Sequence, residues 1–291
     1  MTAIGTFVSF EDLSFEEQQL VDVAVGGAAA SARHGLCFNS DFPVGAGILA
    51  ANAMGETRVF GGSNVENDWF PPTICAERTT GTQAAFQGYK QFRIVSVFCR
   101  KVPGGSPCGL CRQLLVQFGR DAILLNIVDH DRNVRKALVG DLLPGASVAR
   151  IAFADLSGDE KNLVRRVNGL KKRAHVPYSK RPRAALFICE NEKGVRRVFS
   201  GVSDDNASYG GSALAETVAM RSARTAGFAR KVRLVVTVDD PTSVNPVEGE
   251  CLQVLREFGA DAPILLVGPD RSVVHTSLVE LLPDSFGPEA L

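Results

Sequence analysis

Two tandem three-layer α/β/α domains, each around a mixed central sheet, are the fold that the sequence predicts. Three observations lead there. First, 291 residues with 45% hydrophobic content can fill two cores of about 100 to 150 residues each. Second, four landmarks recur along the chain at an offset that stays between 139 and 143 residues. Third, within each copy the order reads helix, strands, helix, strand, helix, strand, which suits a layered α/β unit.

The first copy opens on Asp12, Ser14 and Glu17, where Ser14 and Glu17 have capping-box spacing ahead of an apolar helix from Leu20 to Ala32. Asp155, Ser157 and Glu160 repeat that text before Leu163, Val164 and Val167. A short apolar strand follows each helix, at residues 42–49 and again at 181–188. Phe118-Gly119 and the apolar run to Leu125 match Phe258-Gly259 and the run to Leu266, and Leu142-Leu143-Pro144 matches Leu281-Leu282-Pro283. Residues 12–150 and 155–291 are the expected domains, joined by a very short connection.

Composition narrows the functional classes. Lys and Arg total 32 and Asp and Glu total 32, and no basic run exceeds short ones such as Lys171-Lys172-Arg173. Such a balance gives no broad field for gripping nucleic acid and favours a small, nearly neutral substrate. The first 32 residues are interrupted by Glu11, Glu16, Glu17 and Asp22, so they do not read as a secretory signal, and no apolar run approaches a membrane span. A cytoplasmic protein is the expectation. Seven cysteines without export features favour free thiols and metal ligands over disulfides, with Cys37, Cys99 and Cys189 reading as small core residues.

The chemistry lies in a split motif. Cys75 and Glu77 are two residues apart at the start of a helix expected over Thr73 to Phe86, after Pro71-Pro72. Pro107, Cys108 and Cys111 open a second helix, from Leu110 to Phe118, after the Pro103-Gly104-Gly105 loop. Thiols at helix starts gain thiolate character from the helix dipole. Three cysteines suit zinc, and no fourth Cys or His accompanies them, which leaves one coordination position for water. Glu77 is then placed to move protons beside the metal. A closed structural zinc site is the bland alternative, and His34, His130, His175 and His275 match no ligand position.

Cys75-Ala76-Glu77 with Pro107-Cys108-Gly109-Leu110-Cys111 resembles the zinc-dependent cytidine deaminases, whose wider signature admits three cysteines. Phe42-Pro43-Val44-Gly45 and Gly62-Ser63-Asn64-Val65-Glu66-Asn67 extend the resemblance over nearly the whole first copy. The resemblance implies one Zn2+ per chain, and hydrolytic deamination of cytidine and 2′-deoxycytidine to uridine and 2′-deoxyuridine in pyrimidine salvage. It gives Cys75, Cys108 and Cys111 the metal and Glu77 the proton shuttle. Asn64 and Glu66 then hold the ribose hydroxyls, Phe42 packs on the pyrimidine, and the Ala76 backbone reads the base. Arg78 offsets the thiolate charge, which three thiolates on a dication physically require. A carboxylate at the sugar hydroxyls excludes a polynucleotide. Two-copy family members usually carry His as the first ligand, whereas this chain carries the Cys usual in one-copy tetramers.

The second copy reads as degenerate and without a zinc site. On the repeat, Cys75 falls on Leu214, Glu77 on Glu216, Cys108 on Glu248 and Cys111 on Cys251, while Phe42, Asn64 and Glu66 fall on Arg181, Ser203 and Asp205. It keeps Phe286, where related one-domain tetramers place a Phe into a neighbouring site. A homodimer of two-copy chains, a pseudo-tetramer of domains with Phe286 at the pocket, is the implied assembly. Two alternatives stay open: a deaminase of another cytosine-bearing molecule, and a non-catalytic zinc-stabilised interaction protein.

Overall fold

Ser14 caps a helix by accepting from the Glu17 amide while the Glu17 carboxylate accepts from the Ser14 amide, and that capping box starts α1 (Phe15–Arg33). The computed structural model describes residues 4–259 and 261–288, and these form two compact units. One unit runs to Leu143 and takes in the segment from Asp284, and the other is Pro144–Pro283.

In the first unit, β1 (Thr6–Val8) precedes α1, and β2 (Val44–Ala51), β3 (Thr57–Ser63), α2 (Ala76–Phe86), β4 (Gln91–Cys99), α3 (Gly109–Gly119), β5 (Ile123–Ile127) and β6 (Val134–Leu138) follow. The sheet order is β1-β6-β5-β4-β2-β3, with β4 and β5 parallel and the other neighbours antiparallel. Strand alternation sends side chains to two separate cores. Ile48, Ala50, Val95, Val97 and Leu124 pack with Ala84 of α2 and Leu115 of α3. Leu49, Ile94, Phe98 and Leu125 pack with Leu20, Val21, Ala24 and Ala28 of α1. One helix on one face and two on the other give three layers, the architecture expected. Gly45 is required where α1 crosses β2, because a Cβ there would stand 1.9 Å from Ala24 O.

Boundaries differ from the sequence reading in both units, the strand expected at 181–188 being Ala184–Asn191. The first strand begins at Val44, since Phe42-Pro43 form the approach to it. More consequentially, α2 begins at Ala76 rather than Thr73. Ile74 is held extended by paired backbone bonds to Val65, Val65 N to Ile74 O at 2.9 Å and Ile74 N to Val65 O at 3.0 Å. The short β1 and β6, which pair with each other, went unanticipated.

The second unit holds α4 (Gly158–Leu170), β7 (Ala184–Asn191), β8 (Arg196–Val202), α5 (Ala215–Thr225), β9 (Phe228–Thr237), α6 (Gly249–Arg256), β10 (Pro263–Val267), β11 (Val273–Ser277) and α7 (Leu278–Leu281). Its sheet order β11-β10-β9-β7-β8 matches β6-β5-β4-β2-β3, with the same parallel pair at the centre, here β9 and β10. Ser157 and Glu160 form the capping box of α4, which buries Val164 and Val167 on Leu186, Ile188, Val235 and Leu265. No described helix is long and apolar enough to cross a membrane.

Candidate metal centre

Cys75 and Cys108 are the N-cap residues of α2 and α3, with nearly identical extended backbones (φ −69°, ψ 157° and φ −67°, ψ 162°). Neither thiol caps its helix, so both are free to turn toward a common point, while Cys111 enters from the first turn of α3. Cys75 Sγ stands 3.8 Å from Cys108 Sγ, and Cys108 Sγ stands 3.5 Å from Cys111 Sγ. All three sulfurs lie within 4.8 Å of one another. Sulfurs bound at about 2.3 Å to a tetrahedral zinc are about 3.8 Å apart, so this spacing fits the ion.

The electrostatics point the same way. Without a cation the three thiols compete for charge: hydrogen bonding to its two neighbours draws Cys108 well below the ordinary thiol range. The same contacts drive Cys111 well above it, and Cys75, hydrogen-bonded to Cys108 and buried, rises to about 11. Only a positive ion lets three thiolates coexist at neutral pH. Burial raises the neighbouring Cys99 thiol as well, which removes it as a fourth thiolate.

Glu77 is 3% exposed in the first turn of α2. Burial first, then the Cys75 charge, pushes its carboxyl up to about 7, where it can both hold and release a proton. Ala76 is fully buried beside it. Arg78 donates from Nη2 to Thr73 O at 2.9 Å, and its buried Nε has no hydrogen-bond partner. Burial works against its charge, yet the Cys75 and Cys111 thiols hold its pKa above the ordinary value.

Asn64, Glu66 and Phe42 meet in one loop system. Asn64 Oδ1 accepts from Ser31 Oγ at 2.8 Å and Val44 N at 2.9 Å, and its Nδ2 donates to Phe42 O at 2.9 Å. The Glu66 carboxylate accepts from the Asn39 amide at 2.6 Å, the Ser40 amide at 3.1 Å and the Ser40 hydroxyl, which in turn accepts from the Phe42 amide at 3.1 Å. Val44 pairs with Cys99 across β2 and β4, which sets this loop beside the strand end nearest the thiols. The ring of Phe286 meets Phe42 of the same chain edge-on, centroids 5.9 Å apart.

Arg112 escaped the sequence reading. It follows Cys111, is 0% exposed, and donates Nε to Pro107 O (2.7 Å), Nη1 to Leu142 O (2.6 Å), and Nη2 to Ser106 Oγ (3.0 Å) and Asp284 O (2.7 Å). Burial lowers its pKa to about 10, which leaves it charged at neutral pH beside the thiols. A basic residue directly after the second Cys of a Cys-x-x-Cys pair was the only available signal.

In the second unit Glu216, Glu248 and Cys251 also converge within 4.8 Å. A cation is already built in: Arg183 Nη1 lies 2.5 Å from Glu248 Oε2 and 3.7 Å from Glu216 Oε1. All four histidines are exposed, and Cys37, Cys99 and Cys189 are buried.

Residues 17–126 match the family model of the cytidine and deoxycytidylate deaminase zinc-binding region. A "Probable cytidine deaminase" of Dictyostelium discoideum is 35% identical over 145 residues, 50% of this chain and 95% of that protein. The cytidine deaminase of Sporosarcina psychrophila is 34% identical over 107 residues, 37% of this chain and 76% of that protein. A crystal structure of cytidine deaminase from Burkholderia pseudomallei aligns over 45% of this chain and all of its own, at 29% identity and a TM-score of 0.38. With the Dictyostelium and Sporosarcina proteins matched over 95% and 76% of their lengths, and with three thiols converging in the matched region, the chain belongs to the cytidine deaminase family.

Proposed function

We propose that the first unit hydrolyses the exocyclic amine of cytidine and 2′-deoxycytidine, releasing ammonia and giving uridine and 2′-deoxyuridine. The observation that carries the reading is the convergence of Cys75, Cys108 and Cys111 on one point with the buried Glu77 beside them. The three thiolates would hold Zn2+, which when bound lowers the pKa of a water and supplies a Lewis acid. Glu77 takes a proton from the attacking water, passes it to N3 of the ring, and then carries the second proton to the amine as the C4–N bond breaks and the C4 carbonyl forms. Its pKa of about 7 suits both transfers.

Arg78 and Arg112 supply positive charge that keeps a trianionic ligand set from overwhelming the dication. The Ala76 backbone meets the base, Phe42 and Phe286 give it an aromatic wall, and Asn64 and Glu66 take the sugar hydroxyls. The Asn64 amide retains one N–H beyond its bond to Phe42 O, which is the group offered to a hydroxyl. The reading places the protein in pyrimidine salvage, in the cytoplasm, as a homodimer acting on small molecules rather than nucleic acid.

The test is ammonia and uridine release from cytidine by the zinc-loaded full chain, with metal content measured alongside. One zinc per chain is expected, lost in Cys111→Ser and kept in Cys251→Ser. Glu77→Gln should retain zinc and lose roughly 10²- to 10⁴-fold in kcat. A zinc-loaded wild-type chain that releases no ammonia from cytidine would overturn this reading, leaving a deaminase of another cytosine-bearing molecule or a metal-stabilised binding protein.

A further inference from the structure

The second unit has lost two of the three thiols, keeping Cys251, but not its pocket. A cavity of about 490 Å³ opens at the start of α5, lined among others by Tyr178, Arg181, Arg183, Asp205, Tyr209 and Glu248. That size is in the range of small-molecule sites.

Its scaffold repeats the main bonds of the first unit's loop system. Asp205 accepts from the Tyr178 amide at 3.0 Å, the Ser179 amide at 2.7 Å and the Ser179 hydroxyl at 3.0 Å, as Glu66 does from Asn39 and Ser40. The Ser179 hydroxyl accepts from the Arg181 amide, as Ser40 does from Phe42. Ser203 Oγ accepts from the Arg183 amide at 2.9 Å, as Asn64 Oδ1 does from Val44. Gly201 must be glycine for α5 to seat on β8, since a Cβ would stand 2.1 Å from Ala215 O. The frame that shapes a sugar-and-base slot is thus retained.

At the floor, the Arg183 guanidinium stands among Glu216, Glu248 and Cys251, the groups equivalent to Glu77, Cys108 and Cys111. Glu216 is fully buried, and neither of its oxygens has a hydrogen-bond partner. An arginine in the place of a metal neutralises the pocket floor and removes the means to activate water. It also leaves a donor, Arg183, beside an acceptor, Glu248, which complements the donor and acceptor at the N3–C4 edge of a pyrimidine. Arg181 stands where the first unit has Phe42, and a guanidinium plane stacks on a base as an aromatic ring does. Tyr178 and Tyr209, ring centroids 6.3 Å apart, add aromatic surface at the mouth.

We propose that the second unit binds a pyrimidine nucleoside without converting it, sugar toward the Asp205 turn and base toward Arg183 and Glu248. The sugar assignment rests on the roles proposed above for Asn64 and Glu66.

Calorimetric titration of the zinc-loaded full chain with uridine, which is not turned over, counts the sites. Two uridines per wild-type chain are expected, with Asp205→Ala weakening one at least tenfold while leaving kcat/KM for cytidine within twofold. Tyr209→Ala, a change at a 77% exposed side chain that the fold does not need, should weaken the same site a few-fold. Glu66→Ala should remove the other. A single uridine per wild-type chain, lost in Glu66→Ala and untouched by Asp205→Ala and Tyr209→Ala, would overturn the proposal. If Glu66→Ala instead left both sites and cytidine turnover intact, the first-unit reading would fall while an Asp205-dependent site stood.

Discussion

Phe42 and Phe286 meet edge-on at 5.9 Å between ring centroids, although nearly the whole chain runs between them. The segment that carries Phe286 belongs to the first unit, where Arg112 Nη2 holds Asp284 O at 2.7 Å. An aromatic from the far end of the sequence therefore packs on Phe42 within one chain, which is the wall that the proposed function assigns to the base.

Edge-on aromatic pairs contribute about 0.5 to 1.5 kcal/mol beyond burial. Phe42→Ala and Phe286→Ala should each raise KM for cytidine about 2- to 10-fold with a smaller effect on kcat, and the double variant should fall short of their product by that coupling energy. Steady-state kinetics of the four proteins measure it. Strictly multiplicative effects would mean that the two rings do not act as one wall.

Arg112 is the tie that fastens this tail, the Pro107 loop and Leu142 to α3. Arg112→Met leaves three carbonyls and the Ser106 hydroxyl without their donor in a buried place. A loss of about 3 to 5 kcal/mol is expected in denaturant unfolding, and Arg112→Lys should recover only part of it, because an ammonium cannot reproduce the fork. A loss under about 1 kcal/mol for Arg112→Met would show that the four contacts are not held by this side chain.

The cap of α1 predicts an acid limb of stability. Burial raises the Glu17 carboxyl, but hydrogen bonds from Lys136 and Ser14 outweigh it and hold the pKa below the ordinary carboxylate value. A depressed folded pKa contributes stability that is complete above the unfolded value of about 4.3 and disappears as pH falls through the folded value. Glu17→Gln keeps an oxygen for the Ser14 amide but loses the charge and the Lys136 ion pair, so it should cost about 1 kcal/mol at pH 7 and almost nothing near pH 3. Thermal unfolding of both proteins across that range is the check, and a pH-independent difference would contradict it.

Much of the centre was legible because its groups are close in sequence and set by helical geometry. Cys108 and Cys111 are one turn apart, and Cys75 and Glu77 flank a helix start, so residue type and spacing carried the reading. The start of α2 was misplaced because Ile74 is held extended by Val65, a partner that no local signal reveals. Arg112 was overlooked because its acceptors are backbone carbonyls, and carbonyls leave no mark on sequence. In the second unit, the absence of two thiols was plain, but the Arg183 cation between Glu216 and Glu248 was not. Arg183 lies on β7's approach, far in sequence from Glu216 and Glu248, and only the fold brings them together.

By itself the sequence determined the repeated α/β architecture, the three thiols with their neighbouring acid, and the absence of two of those thiols from the second copy. Hydrophobic periodicity and helix caps are local, and a metal ligand set is fixed by residue identity. The tertiary structure decided what long-range contacts alone can decide: the tail returning Phe286 to Phe42, the burial that raises Glu77 to about 7, and the arginine seated between Glu216 and Glu248. Each depends on desolvation or on partners supplied by distant segments, and none is encoded at any single stretch of chain.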